Sequence, residues 1–267
     1  MLSNVFSKTI YDRQRSFMWW SLGVAVMILI MILFYPTIRD NDDMLKLLEG
    51  MPKEMLALAG ISDAAAMMTP AGYLQGRLFS MLLPLLLLVF AIGFGTRAIA
   101  GEEEARTIDM LLSHPVRRSQ VVLQSFGAMV ALLAGLGVVI VLALFLSALT
   151  VDMEIGVDKL VAGTVSSVLL ALFFGTLGLA LGAATGKRGL SMGLTSTVAI
   201  VGYLVHSLGE AVDWLKPAQK FSPFYYATSS NPLTNGLDLG HSLVFVVAMA
   251  LLVAVAVFTF ERRDVAV

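Results

Sequence analysis

Residues 119–151 read SQVVLQSFGAMVALLAGLGVVIVLALFLSALTV, thirty-three positions without one Asp, Glu, Lys or Arg. A bilayer hydrocarbon core of about 30 Å takes roughly 20 apolar residues of helix, so this stretch reads as a membrane-spanning helix. Working outward, charges bound it on both sides, Arg117 and Arg118 before it and Asp152 after it. Five further uncharged blocks follow the same pattern, at 16–38, 78–96, 160–186, 189–209 and 239–260. The sequence therefore predicts an all-α polytopic membrane protein with six transmembrane helices. The spans fall at about 17–36, 78–97, 121–149, 161–184, 190–209 and 240–260 of one transmembrane domain covering 1–267. A last uncharged block, 221–237, is short and carries Pro223, Pro232 and several polar residues. It suits a re-entrant or interfacial segment packed against protein.

Composition agrees. Of 267 residues, 58 % are apolar and 14 % charged, and mean hydropathy is +0.84. Soluble domains carry roughly 45–50 % apolar and about 25 % charged residues, and a soluble fold of this size has nowhere to hide the excess. A soluble enzyme and a disordered chain are excluded. A net charge of −1 argues against a large nucleic-acid surface. The absence of cysteine removes disulfides, thiolate metal sites and cysteine nucleophiles.

Orientation follows from Lys and Arg. With the N-terminus inside, the cytoplasmic pieces 1–15, 97–118, 187–188 and 261–267 hold eleven, against seven in the longer outer segments. Both termini are expected in the cytoplasm of a cell-membrane protein. Lys8, Arg13 and Arg15 precede the first block, which is long and lacks a small-x-small cleavage site after Tyr35-Pro36. A permanent helix is expected there, not a signal peptide. Leu2, Val5, Phe6 and Ile10 form an apolar stripe beside those cations, as an amphipathic N-terminal interfacial helix would. Trp19 and Trp20 suit interfacial anchors at the inner boundary. The outer stretch 39–77 is expected to hold helical pieces, with Pro52 at a helix start and Gly60 at a helix end.

No span carries an acid, Lys or Arg within its core, which argues against a proton- or ion-coupled transporter. His206 reads as a hydrogen-bonded packing residue. Met51, Met55, Met67 and Met68 read as packing on amphipathic helices, and no metal site is expected. Gly189-Leu190-Ser191-Met192-Gly193 fits a nucleophile elbow, and Gly93-Phe94-Gly95-Thr96-Arg97-Ala98 imitates a dinucleotide fingerprint. Neither follows a strand, so both are chance. No phosphate-binding loop is present, so ATP has no such site on this chain. Gly178, Gly182 and Gly186 make a small-xxx-small ladder, with Gly175 beside it, for close helix contact within the chain or between protomers.

The stretch that carries function is Gly101-Glu102-Glu103-Glu104-Ala105-Arg106-Thr107-Ile108-Asp109-Met110-Leu111-Leu112-Ser113-His114-Pro115-Val116-Arg117-Arg118. Acids occupy the first turn of an expected helix, where the macrodipole favours them. Ile108, Leu111 and Leu112 follow at helical spacing, and Pro115 stops the helix. A plain amphipathic inner loop explains this in part, but three glutamates spoil the local positive excess, and a basic or mixed protein partner on the cytoplasmic side would explain them.

In this position the stretch resembles the membrane subunits of ABC-2-type ABC transporters, whose pattern is roughly G-E-x-E-x-G-T-[LI]-x-x-L-L-[AS]-x-P-[VI]-x-R after the second of six spans. Arg106 stands where that pattern has glycine. The amphipathic start, Ser222-Pro223-Phe224-Tyr225-Tyr226 with Asn235-Gly236, and the tail Phe260-Glu261-Arg262-Arg263-Asp264 resemble the family too. The resemblance implies a permease that binds no cofactor itself, with ATP and magnesium on two separate ABC ATPase subunits and a second permease protomer beside it in the lipid. It implies a cytoplasmic coupling helix between spans two and three, with Glu102, Glu104, Arg106, Thr107, Ile108, Leu111, Leu112, Pro115 and Arg118 as coupling residues. Arg117 and Arg118 serve equally well as contacts to lipid phosphates. By the same analogy spans two and five line the path of a hydrophobic or amphipathic export cargo, with Phe79, Thr195, Thr197, Tyr203 and His206 as candidates. Against that, Thr and Tyr here serve equally as helix–helix hydrogen-bonding residues. The alternatives are a non-transporting scaffold or immunity protein and, last, an intramembrane enzyme using Ser191 and His206. Those two lie fifteen residues apart, about 22 Å along one helix.

Overall fold

The computed structural model describes residues 4–39, 50–52, 55, 69–106, 117–151 and 153–263. Among them there is no strand, and six helices are long and apolar enough to cross a membrane. They run Val5–Thr37, Pro70–Ala98, Arg118–Ala148, Val157–Thr185, Arg188–Gly209 and Leu239–Arg262. The chain is the all-α polytopic membrane protein its uncharged blocks predict.

Two boundaries differ from the sequence reading, each for a physical reason. The amphipathic start is not a separate surface helix. It is the opening of one continuous helix, Val5–Leu33, of 29 residues, about 44 Å long at 1.5 Å per residue. No Gly or Pro lies between Val5 and Leu22, so nothing breaks the hydrogen-bond ladder where charge gives way to apolar sequence. Asn4 caps it, its side chain accepting from the Ser7 amide at 2.8 Å. Gln124 Oε1 accepts from the Phe6 amide at 3.2 Å, tying this start to the third span.

The second span begins two turns earlier than its uncharged block, because Arg77 interrupts the block without interrupting the helix. Thr69 caps the new start, accepting from the Gly72 amide at 3.1 Å, and Pro70 takes the first helical turn. Gln75–Leu82 then winds as a π-helix before α-helix resumes at Leu83–Ala98. Such widened turns leave backbone groups mismatched and concentrate at working sites. The buried Tyr73 fixes this segment to the first span, its hydroxyl donating to the Met31 carbonyl at 2.7 Å.

The fourth span is the hub, packing against the second, third, fifth and sixth, while the first lies at the edge on the third. Lipid tails are as apolar as leucine, so helices in a bilayer associate through close packing rather than hydrophobic expulsion. The fourth span supplies it with small residues. Gly175 lies under Ala91, Gly178 under Thr96, and Gly182 under Ala100, all within this chain. Gly186 does something else: it ends the helix at φ +66°, a left-handed position that glycine adopts without strain.

The segment after the fifth span folds back on the bundle as short helices, including Pro223–Thr228 and Pro232–Asn235. Phe224 and Leu233 are buried there, Phe224 between Phe174 and Tyr203 with ring centroids at 5.8 and 5.5 Å. The middle of block 221–237 is thus packed against protein, while Phe221 at its start stands exposed.

Candidate functional site

The start of the first helix, the end of the second span, the start of the third and the end of the sixth meet at one end of the bundle. There Ala100–Glu104, a short helix after the second span, presents its acids to two other spans. Glu103 forms an ion pair with Arg263 at the end of the sixth span, their side chains only 9 % and 19 % exposed. Glu104 Oε1 accepts from the Arg188 amide at 2.8 Å. That amide is the first of the fifth span, so the carboxylate also faces the positive end of the helix dipole. Arg118 donates to the carbonyls of Phe260 and Arg263, at 3.1 and 2.6 Å, satisfying the last turn of the sixth span. A side chain at Gly186 would strike both the Arg263 guanidinium and the Glu103 carboxylate. The result is a clamp joining the exit of span two to the start of spans three and five and the end of span six.

Of the nine expected coupling residues, Glu102, Glu104, Arg106 and Arg118 lie in the described structure, while Thr107, Ile108, Leu111, Leu112 and Pro115 lie outside it. Glu104 and Arg118 belong to the clamp. Arg106 takes φ +54°, so the backbone here keeps the left-handed turn for which glycine is suited. An L-residue with a Cβ pays roughly 1–2 kcal/mol for that conformation. Arg106→Gly is therefore expected to stabilise the protein by about 1 kcal/mol, read as a rise in thermal midpoint in detergent. Glu103, Arg188 and Arg263 were missed as a unit, because Glu103 and Arg263 are 160 positions apart in sequence.

At mid-bundle the second and fifth spans flank an apolar pocket of about 140 Å³, lined by Met81, Leu88, Tyr203, Leu204 and Phe224 among others. Met81 comes from the π-helical turn. Among the five path candidates Tyr203 alone lines it. Phe79 and Leu233 both pack against Gly163, and Thr195 faces Gly178 of the fourth span. Both threonines bond back to their own helix, Thr195 to Ser191 at 2.7 Å and Thr197 to Gly193 at 2.9 Å, rather than across helices. His206 is buried and its Nε2 meets Thr228 Oγ1 at 2.7 Å. Gln219 donates to the His206 carbonyl at 2.8 Å. Both bonds anchor the folded-back segment. Ser191 is likewise structural, bonded to Thr185 Oγ1 at 3.0 Å and the Lys187 carbonyl at 2.9 Å in the turn between spans four and five. At the far end Asp238 caps the sixth span. The His241 amide, and secondarily its imidazole, holds the Asp238 carboxyl below the ordinary carboxylate range.

The sequence profile of the ABC-2 family transporter protein matches residues 3–265. The chain belongs to the ABC-2 transporter family. No match was found among curated proteins. It is accordingly a membrane-embedded transport subunit, and the clamp and pocket are to be read as parts of an ABC-2 permease.

Proposed function

We propose that this chain is the membrane half of an ATP-driven exporter of hydrophobic or amphipathic molecules in the cell membrane. Both termini face the cytoplasm, two copies assemble, and two separate ABC ATPase subunits supply the energy. The observation that carries this reading is the clamp. Just before Arg106, Glu103 ties the chain to the sixth span and Glu104 ties it to the fifth. The fifth span borders the apolar pocket, so a push delivered by an ATPase at this end would reach the wall of the proposed path through the clamp. The apolar lining suits a cargo without charge, such as a drug, an antibiotic or the tail of a lipid. Pockets that bury drug-sized ligands measure about 300–1,000 Å³, so one copy supplies only part of the path and the second completes it. Membership in a transporter family favours this over the scaffold reading.

The direct test is an affinity pull-down of the tagged chain from native membranes in mild detergent, with ATPase activity assayed on the eluate. A co-purifying ABC ATPase with vanadate-sensitive turnover is expected; a single-chain oligomer without ATPase activity would overturn the reading. Glu102→Lys together with Glu104→Lys is expected to abolish ATPase-dependent export while membrane insertion persists. Export at the wild-type rate in that variant would remove these acids from coupling.

A further inference from the structure

At the clamp end of the bundle, the first helix and the ends of the second and third spans enclose a cleft of about 560 Å³. Its charged lining is Lys8, Arg13, Arg15 and Arg97 against Asp12 and Glu102, four cations to two acids. Arg13 sits 5.5 Å over the ring of Phe94, where Arg97 and Arg188 repel its charge and Glu102 and Asp12 offset part of that repulsion. Two arginines at this end have partners within the fold: Arg263 pairs with Glu103, and Arg118 donates to the carbonyls that end span six. The cleft instead keeps a positive excess, gathered in a partly enclosed space where repulsion is costly. That arrangement calls for an anion. Guanidinium groups bind phosphate in a bidentate fashion.

The first helix and the second span also show what the phosphate is attached to. Deeper along them lies an apolar groove of about 440 Å³, lined by Trp19, Trp20, Gly23, Val24, Met27 and Leu86. From Arg13 to Gly23 is ten residues of unbroken helix, about 15 Å at 1.5 Å per residue. From Phe94 back to Leu86 is eight, about 12 Å. Trp20 and Phe90, edge to face at 5.8 Å, stand between cleft and groove. Cations, then an indole at interfacial depth, then an apolar groove open to the bilayer match a phospholipid from headgroup to tail. A free phosphate would use the cleft and leave the groove without purpose.

We propose that this cleft and groove bind one anionic phospholipid of the adjoining leaflet. Its phosphate lies between Arg13 and Arg97, and one acyl chain runs along Trp20, Met27 and Leu86. The site stands apart from the transport reading, since a lipid held here stabilises the first helix against the bundle whether or not anything is exported.

The experiment is native mass spectrometry of the purified chain, with any subunit that co-purifies, titrated with phosphatidylglycerol or phosphatidylcholine in detergent. The wild type is expected to hold one phosphatidylglycerol in clear preference to phosphatidylcholine. Arg13→Gln with Arg97→Gln is expected to lose about thirtyfold in that affinity, the joint effect of two basic residues on an anionic lipid, while Lys220→Gln at the opposite end loses nothing. Equal binding of the two lipids, or an unchanged double variant, overturns the proposal. So does displacement of the lipid by millimolar inorganic phosphate, which would mark a phosphate site instead. Cross-linking of the wild type with a photoactivatable phosphatidylglycerol decides the matter even if the double variant fails to fold. Labelled peptides within 5–27 and 86–98 support the site, and labels confined elsewhere exclude it.

Discussion

Alanine at Gly95 is expected to prevent the bundle from packing, while alanine at Gly93, two residues earlier on the same span, is expected to leave it intact. A methyl group on Gly95 would overlap the carbonyl oxygen of Gly175 and lie 2.9 Å from the Gly175 carbonyl carbon and 3.1 Å from the Leu179 amide. These are backbone atoms of the fourth span, and they yield only if a whole helix moves. Retreat is blocked on the other side too, since a methyl at Gly175 would lie 2.6 Å from Met129 Sδ and 3.0 Å from the Ala91 carbonyl. Overpacking a well-filled interior costs about 1–3 kcal/mol. Here the clash is backbone against backbone at the hub of the fold, and about 3 kcal/mol or more is expected. At Gly93 nothing lies within 4 Å of the added carbon, and replacing a mid-helix glycine by alanine gains up to about 1 kcal/mol. The comparison is the monodisperse fraction and thermal midpoint of each variant in detergent. Similar midpoints for the two would mean that the second and fourth spans do not meet at Gly95.

The same contact shows where a sequence can and cannot be read. An uncharged run such as 119–151 declares a span because the bilayer imposes a length and a solvent on it, and both are local properties. Glycines at i, i+4 on the fourth span declare a close approach, yet the approaching partner is not written beside them. Gly95 stood inside an imitation of a dinucleotide fingerprint and drew no structural reading, although it is where the two backbones touch. Gly186 continued the ladder by spacing but serves as a left-handed cap, since the helix ends there. Glu102, Glu103 and Glu104 looked like a message for another protein. Glu103 and Glu104 find partners inside the chain, in Arg263 and the Arg188 amide, because distant spans deliver them to the same end of the bundle. Charge runs also misplace helix boundaries: Arg77 stopped an uncharged block that the helix itself passes through.

Exchanging the charges of Glu103 and Arg263 is expected to give the second large effect. Glu103→Arg alone brings two guanidinium groups together, and Arg263→Glu alone brings two carboxylates together, in a site with little solvent to screen them. Breaking a pair of this kind costs about 3 kcal/mol when the remaining charge is held away from water. The surroundings resist relaxation. Arg118 bonds the Arg263 carbonyl, and the side-chain-free surface of Gly186 lies against both charged groups. Both single variants are expected to show lower thermal midpoints and poorer recovery, and the reversed pair to regain about 2 kcal/mol of coupling. Additive losses in the double variant would show that the two groups do not act as a pair. The reversed pair then separates packing from coupling in the proposed exporter. If the clamp only transmits displacement, restored stability should bring restored export. Export that stays lost in a protein whose stability has returned would mean that the acid at 103 is itself recognised by the ATPase, so that the glutamate run serves the fold and a partner at once.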